Sequence, residues 1–200
     1  MNEITRRGLI FGAATMAACG VLVGVERVCL SAFADDTEQE DDPGPVKIAK
    51  FSDDGARLGI FTLAKVRKNK SEWKKQLTPL QYDVTRRAAT EFAFSGALYD
   101  QHAPGLYRCV DCENALFDSK TKFDSGTGWP SFWEAIAAEN VREKKDLSMG
   151  VLRTEVKCTL CDAHLGHVFN DGPQPTGLRY CINSAALRFI PREAPIRNNS

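Results

Sequence analysis

The sequence predicts a mainly β protein of the α+β class, with an antiparallel β core preceded by one or two helices. From Tyr107 onward, short β-like runs alternate with Gly, Asp, Asn and Pro residues, which favour turns. A helix start lies upstream, at Thr78. Two Cys-x-x-Cys pairs, far apart in the chain, are typical of a metal site. A bound metal would therefore tie the β core together at one edge.

The strand predictions come from runs of β-branched and aromatic residues bounded by turn residues. Residues 46–50 and 59–66 predict two strands around a turn at 53–55. The clearest later runs are 151–156, 165–169 and 178–182.

The helix prediction depends on its first turn. Thr78 suits the N-cap, Pro79 the first helical position and Gln81 the third, and together they form a capping box. Three apolar residues at helical spacing predict a buried stripe. They are Leu80, Val84 and Ala88.

The N-terminus predicts export. Residues 5–10 (TRRGLI) are typical of a twin-arginine signal, an apolar stretch follows over 9–25, and an Ala-x-Ala site lies at 32–34. We expect residues 1–34 to be removed and the remainder to reach the periplasm. Two alternatives stay open: an uncleaved membrane anchor, and lipidation at Cys19.

The rest of the chain predicts one domain behind a tether. Residues 35–45 are acidic and contain two prolines, which is typical of a solvated linker, and 46–200 have an ordinary single-domain length. The whole chain carries 26 basic and 26 acidic residues, a balance that argues against a nucleic-acid partner. We expect a monomer.

The two Cys-x-x-Cys pairs are Cys109/Cys112 and Cys158/Cys161. Two such turns supply the four thiolates of a closed tetrahedral zinc site, which stabilises a fold and leaves no open position for chemistry. Two disulfides and a redox-active dithiol are the alternatives.

A fifth cysteine, Cys181, belongs to neither pair. A lone cysteine is most often a small buried hydrophobe. As a nucleophile it would have to react as the thiolate, which positive or hydrogen-bonding surroundings favour. Arg179, two positions away on a strand, would share its face.

Three segments, 123–132, 164–172 and 179–184, give the chain a family resemblance when taken with the cysteine pairs and residues 91–96. Together they resemble the B-type methionine sulfoxide reductases, which reduce the R epimer, over about Val46 to Ile190. The resemblance implies a zinc-stapled pair of antiparallel β-sheets, called a β-tent, with one structural Zn²⁺.

The resemblance also implies a catalytic set of Cys181, His167 and Asn183. Cys181 would attack the sulfoxide sulfur, and His167, with an unperturbed pKa of about 6.5, would donate a proton to its oxygen. Without that context, His167 and His164 are three residues apart and could be metal ligands. The implied substrate-binding residues are Trp129, His164, Phe169, Asp171 and Arg179.

Within that set, Trp129 is expected to form the wall that receives the S-methyl group, since a broad apolar face accepts it and sulfur–aromatic contacts are favourable. His164 and Asp171 are expected to orient His167 and Asn183 by hydrogen bonds.

The chain departs from a common family pattern at Thr127, where many members carry a resolving cysteine. We therefore expect a sulfenic acid on Cys181 that an external thiol, such as a thioredoxin-like protein, reduces. Cys19, Cys29 or a metal-site cysteine is the alternative. A zinc-stabilised binding module without catalysis is a second class of function, but it leaves Cys181 without a task.

Overall fold

The computed structural model describes residues 44–148 and 150–192. The expected export signal, its cleavage site and residues 35–43 of the expected linker lie outside these residues. Within the described part of the chain, no helix is long and apolar enough to cross a membrane. The chain begins there with an antiparallel hairpin of β1 (Val46–Phe51) and β2 (Arg57–Leu63). This is the expected first pair of strands, with β2 ending three residues before the predicted position.

Two helices follow, α1 (Lys70–Gln76) and α2 (Pro79–Arg87), and each begins with a capping box. The Thr78 hydroxyl accepts the Gln81 N–H, as the sequence predicts. The predicted stripe on α2 is wrong in part: Val84 is buried, but Leu80 is 53% exposed and Ala88 is an exposed C-cap at φ 54°. The helix has fewer than three turns, and the residues it buries are Tyr82, Val84 and Thr85.

Nine further strands complete the fold. In chain order they are β3 (Gly105–Cys109), β4 (Ala115–Asp118), β5 (Lys122–Phe123), β6 (Ser131–Phe132), β7 (Val141–Asp146), β8 (Arg153–Cys158), β9 (His164–Phe169), β10 (Arg179–Ile182) and β11 (Leu187–Pro191). The predicted runs at 165–169 and 178–182 are β9 and β10, each shifted by one residue at its start. The predicted run at 151–156 is β8, shifted by two residues.

The strands form two main sheets besides the β1–β2 hairpin. One has six strands in the order β5-β6-β10-β9-β8-β7, the other has three in the order β11-β3-β4, and every pair is antiparallel. Aromatic side chains join the two sheets: the Phe132 ring lies 4.9 Å from that of Tyr107 and stacks at 4.4 Å on Phe117. The prediction of a mainly antiparallel β fold with one or two N-terminal helices is confirmed.

Alternation along β10 decides where its functional side chains point. Tyr180 and Ile182 are buried in the core, whereas Arg179 and Cys181 are half-buried on the other face. The neighbouring strand comes unusually close, since a Cβ at Gly166 would lie 2.1 Å from the Cys181 carbonyl oxygen. Only glycine fits there. The sheet therefore presents Cys181 away from the core, beside β9.

Candidate active site and metal centre

Cys181 lines a small cavity of about 150 Å³ on the outer face of the six-stranded sheet. Six of the side chains around it come from the strands β8, β9 and β10, the turn after β10 and the loop before β6. They are Trp129, Arg153, His167, Phe169, Cys181 and Asn183. The structure thus brings together at one cavity five of the eight catalytic and substrate-binding residues expected from the sequence.

His167 is the direct cross-strand partner of Cys181, so the two side chains leave the sheet about 5 Å apart. The His167 Nε2 lies 2.8 Å from Asp146 Oδ2. Burial lowers the pKa of His167, against the effect of the Asp146 hydrogen bond, which raises it. The net shift is downward, so the site favours the neutral imidazole of His167 more than water does.

Burial raises the pKa of the Cys181 thiol, and the charge of Arg179 opposes this shift without cancelling it. Arg179 is itself held by two hydrogen bonds of 2.8 Å to the Asp171 carboxylate, and its guanidinium lies 4.5 Å above the centre of the Phe169 ring. This ordered arginine keeps its charge on the face that it shares with Cys181.

A chain of hydroxyl groups also reaches Cys181. The Thr127 Oγ1 lies 4.0 Å from the Cys181 Sγ. Thr127 Oγ1 is also 2.8 Å from Ser125 Oγ, which in turn is 2.7 Å from Ser131 Oγ. The hydrogen bond from Thr127 lowers the pKa of Cys181. The position of the family's resolving cysteine is thus in contact with the nucleophile.

Glu91 fixes one wall of the cavity, although sequence reasoning gave it no role. Its carbonyl oxygen accepts the Trp129 Nε1–H at 3.1 Å, and its N–H donates to Asn183 Oδ1 at 3.0 Å. Its buried carboxylate accepts the backbone N–H groups of Ser184 and Ala185 at 2.5 and 2.9 Å. In the sequence, the one indication of its importance is its place in segment 91–96 of the family resemblance.

Two expected orienting bonds are replaced by others. Asp171 binds Arg179, and His164 Nδ1 lies 2.7 Å from Glu155 Oε1, so neither side chain orients His167 or Asn183 by a direct hydrogen bond. Asp146 takes that role for His167.

The register of β9 explains the position of His164. An extra residue in β9, opposite Val156 and Lys157 of β8, changes the alternation. The His164 and His167 rings therefore meet edge to face, 5.5 Å apart, although they are three residues apart on one strand. His164 does not line the Cys181 cavity.

The four paired cysteines form a compact buried cluster. Their Sγ atoms all lie within 4.8 Å of one another, and Cys109–Cys161 and Cys112–Cys158 are each 3.6 Å apart. A disulfide bond is about 2.05 Å long, so these are free thiols. A tetrahedral site with bonds of about 2.3 Å places its sulfurs roughly 3.8 Å apart. The cluster therefore fits a four-thiolate metal site.

Two matching turns build this cluster. In the first, the Glu113 N–H donates to the Cys109 carbonyl at 2.9 Å; in the second, the Asp162 N–H donates to the Cys158 carbonyl at 2.9 Å. Glu113 and Asp162 both have a left-handed backbone conformation, with φ angles of 63° and 61°. Since Cys109 ends β3 and Cys158 ends β8, the cluster joins the two main sheets.

Polar side chains outside the cluster support it. Both terminal nitrogens of Arg86 donate to the Cys161 carbonyl at 2.9 Å, and one lies 3.6 Å from its Sγ. Arg86 is paired with the buried Asp111 at 2.5 Å. Asn114 Nδ2 lies 3.6 Å from Cys158 Sγ. Burial holds the pKa of Cys109 well above its usual range, so four thiolates require a cation among them.

Comparison with known protein families places this fold and site in a class. Residues 77–191, more than half of the chain, match the family model described as the SelR domain. The chain therefore belongs to the SelR domain family. The matched region contains both cysteine pairs, the cavity around Cys181 and Glu91.

Among individual proteins, the chain is similar to three curated relatives called peptide methionine sulfoxide reductase MsrB. The one from Herminiimonas arsenicoxydans is 61% identical over 125 residues, which is 62% of this chain and 91% of the relative. That from Thiobacillus denitrificans is 56% identical over 126 residues, 63% and 96% of the two chains. That from Pseudomonas aeruginosa is 53% identical over 132 residues, 66% and 100%. The resemblance to B-type methionine sulfoxide reductases is confirmed.

Proposed function

We propose that this chain reduces methionine R-sulfoxide, free or in proteins, to methionine, with Cys181 as the nucleophile. The observation that carries the proposal is the cavity in which Cys181, His167 and Trp129 meet. A thiol attacks the sulfoxide sulfur there, an imidazole handles the proton, and the indole provides an apolar face for the S-methyl group.

The proton starts on sulfur. Because the pKa of Cys181 is raised and that of His167 is lowered, the resting pair is a neutral thiol beside a neutral imidazole. With its Nε2–H donated to Asp146, His167 keeps Nδ1 to accept the thiol proton and pass it to the sulfoxide oxygen. Asp146 stabilises the imidazolium formed between the two transfers.

The first half-reaction moves one oxygen atom. The Cys181 sulfur attacks the electrophilic sulfoxide sulfur while the oxygen gains the proton. This attack forms a bond between the two sulfur atoms. The hydroxyl group then passes from the substrate sulfur to the Cys181 sulfur: the substrate S–O bond and the bond between the two sulfurs break, and a new S–O bond on Cys181 gives the sulfenic acid. One thiol and one sulfoxide become one sulfenic acid and one methionine thioether, so the enzyme sulfur is oxidised and the substrate sulfur reduced.

The second half-reaction restores the thiol. One external thiol attacks the sulfenic acid and releases water, leaving a mixed disulfide, and a second thiol displaces Cys181 from that disulfide. A thioredoxin-like protein or a small dithiol supplies both thiols. The contact of Cys181 Sγ with the Thr127 hydroxyl supports this route. A resolving cysteine would occupy position 127, and threonine cannot form a disulfide there.

The remaining cavity residues position the substrate. Asn183 is fixed by its bonds to Glu91 and to the Leu165 carbonyl, 3.0 Å from its Nδ2; we assign its second amide hydrogen to the sulfoxide oxygen. Phe169 lines the cavity beside Cys181, Arg179 lies over the Phe169 ring, and the Arg179 charge favours the thiolate as it forms.

The cysteine cluster would hold a structural Zn²⁺ through Cys109, Cys112, Cys158 and Cys161. Such an ion supplies the positive charge that lets four thiolates share a buried space, and it has no open position for substrate. The reaction uses residues of the other site only.

The proposal includes export through the twin-arginine route, supported by the TRRGLI segment and the Ala-x-Ala site of the sequence. Cell fractionation followed by N-terminal sequencing tests it: cleavage after Ala34 in the periplasm is expected. A full-length chain in the membrane fraction would instead indicate an uncleaved anchor, and a lipid on Cys19 would indicate lipidation; either result would contradict cleavage after Ala34.

Turnover on separated R and S sulfoxide epimers, with a dithiol as reductant, tests the activity. We expect reduction of the R epimer alone, and its complete loss in Cys181→Ser with metal content and circular dichroism unchanged. Full turnover by Cys181→Ser would overturn the assignment. A protein that bound the sulfoxide without reducing it would be a zinc-stabilised binding module.

A further inference from the structure

Five large apolar side chains are exposed on two segments that adjoin residues lining the Cys181 cavity. The aromatic rim consists of Phe92 and Phe94, which are 87% and 60% exposed. The aliphatic rim consists of Leu147, Val151 and Leu152, between 62% and 67% exposed. We propose that the two rims bind apolar side chains of a substrate peptide on either side of its methionine sulfoxide, and so select apolar segments. This rests on the proposed function.

The aromatic rim is attached to one wall of the cavity. Phe92 follows two residues after Thr90, which lines the cavity. The Phe94 N–H donates to the Gly128 carbonyl at 2.8 Å, directly before Trp129. The rim therefore continues the wall that Trp129 forms.

The aliphatic rim is attached to the opposite wall. Leu147 follows Asp146, the partner of His167, and Leu152 precedes Arg153, which lines the cavity. A bond of 2.6 Å between Arg153 and Asp146 closes the base of this β7–β8 connection.

Sheet order sets the separation of the rims. In the order β5-β6-β10-β9-β8-β7, the loop before β6 and the β7–β8 connection lie on opposite sides of β10, which carries Cys181.

Phe94 of the aromatic rim has an unfavourable backbone conformation, although its side chain remains exposed. Phe94 has φ 62°, in the left-handed region that side-chain-bearing residues rarely adopt. Its ring contacts Tyr99 edge-on at 5.7 Å. The fit also demands glycine at position 128, where a Cβ would lie 2.7 Å from the Phe94 nitrogen at φ +87°. A strained backbone that presents a half-exposed ring beside a reactive cysteine is a reason to infer function.

The size of the cavity defines the occupant. About 150 Å³ accommodates one side chain such as that of methionine sulfoxide, so neighbouring residues of a substrate must lie outside, against the rims. Adjacent strands are about 4.8 Å apart, which places β8 and β7 roughly 10–15 Å from β10. An extended peptide rises about 3.3 Å per residue, so the rims meet side chains within four residues of the sulfoxide.

Two ion pairs lie on the face that carries Cys181. Asp146 is paired with Arg153, and Asp171 with Arg179, so these charges already have partners. An apolar flanking residue would cover exposed hydrocarbon on the rims, which favours its binding.

The test compares three substrates: N-acetyl-methionine-R-sulfoxide methyl ester, a peptide with Leu at the four positions on each side of the sulfoxide, and the same peptide with Ser there. For the wild type we expect kcat/KM about tenfold higher for the Leu peptide than for the Ser peptide, through KM. In the double variant Phe92→Ser, Leu147→Ser that preference falls at least fivefold. Leu80→Ser, a similarly exposed position on α2, keeps the wild-type preference.

Each outcome separates the two proposals. Absence of turnover on all three substrates would overturn the proposed function and, with it, the role of the rims. Turnover on all three substrates without a Leu preference would overturn the role of the rims alone. An equal loss of preference in Leu80→Ser would also contradict it, since that residue belongs to neither rim.

Discussion

At the scale of single residues, the groups around Cys181, the proposed nucleophile, shift its pKa in opposite directions. Burial favours the neutral thiol of Cys181, and the Arg179 charge and Thr127 hydroxyl favour the thiolate. Burial outweighs the other two, so the pKa of Cys181 lies above its ordinary value, and a neutral thiol is less reactive than a thiolate. His167, kept neutral by its own burial, can then accept the proton.

Arg179→Ala removes the charge that opposes burial. We expect the pKa of Cys181 to rise further above its ordinary value, so that alkylation by iodoacetamide slows at neutral pH and its inflection moves to higher pH. Mass spectrometry of the peptide containing Cys181 follows the reaction. Arg188→Ala, on the other sheet, should leave the profile unchanged. An unchanged or lower inflection in Arg179→Ala would contradict the balance of charges described here.

Thr127→Cys should supply a resolving thiol, so that the sulfenic acid on Cys181 is replaced by an internal disulfide. The hydroxyl already lies 4.0 Å from the Cys181 sulfur, so a thiol there needs only a small shift to form a bond of about 2.05 Å. One equivalent of R-sulfoxide should then leave a disulfide between positions 127 and 181, seen as a cross-linked peptide that reductant separates. Thr127→Ser is the matched control. Persistence of the sulfenic acid in Thr127→Cys would argue against the geometry.

At the scale of elements, the cavity depends on one contact between distant segments. Glu91 lies in the segment after α2, yet its carboxylate caps the turn after β10 and its backbone binds Trp129 and Asn183. Glu91, through its backbone and its buried carboxylate, thus ties Trp129 to the end of the strand that carries Cys181.

Glu91→Gln should therefore reduce stability and activity together. An amide keeps one acceptor oxygen and places a donor against an N–H group, which costs roughly 1–3 kcal/mol in the free energy of unfolding. Urea unfolding measures this, and KM for the R-sulfoxide should rise as Trp129 shifts. Glu139→Gln breaks only an exposed pair with Arg57 at 3.4 Å and should cost less than about 1 kcal/mol. Equal effects of the two changes would contradict the role of Glu91.

Local patterns in the sequence predicted most elements but few of the partners in the site. The turn at Thr78, the alternation in β10 and the cysteine spacing are encoded by neighbouring residues, and the structure has them near the expected positions. Asp146 reaches His167 across 21 residues, and Glu91 reaches Ser184 across 93. Such contacts follow from sheet order. The bulge that brings His164 to His167 likewise depends on register between strands.

At the scale of the whole molecule, two sites divide the work. The cysteine cluster joins the end of β3 to the end of β8, and so one main sheet to the other. The nucleophile lies on the outer face of the six-stranded sheet, in its own cavity. We propose that stability depends on the first site and chemistry on the second.

Removal of the metal should therefore unfold the protein. Structural zinc sites contribute about 10–16 kcal/mol in small domains, more than the 5–15 kcal/mol by which most domains are stable. We expect Cys109→Ser to lose zinc, soluble yield and its thermal unfolding transition, while Cys181→Ser retains all three. Metal analysis and circular dichroism give the readout. A zinc-free protein with an unchanged melting temperature would contradict a structural role for the cluster.

The most direct test of the central claim is the mass of the protein after one turnover. Purified protein, given one equivalent of methionine R-sulfoxide without reductant, should gain one oxygen atom on Cys181 and release one equivalent of methionine; dimedone should then label that cysteine alone. A stoichiometric internal disulfide, or oxygen on a cysteine of the metal cluster, would contradict the account.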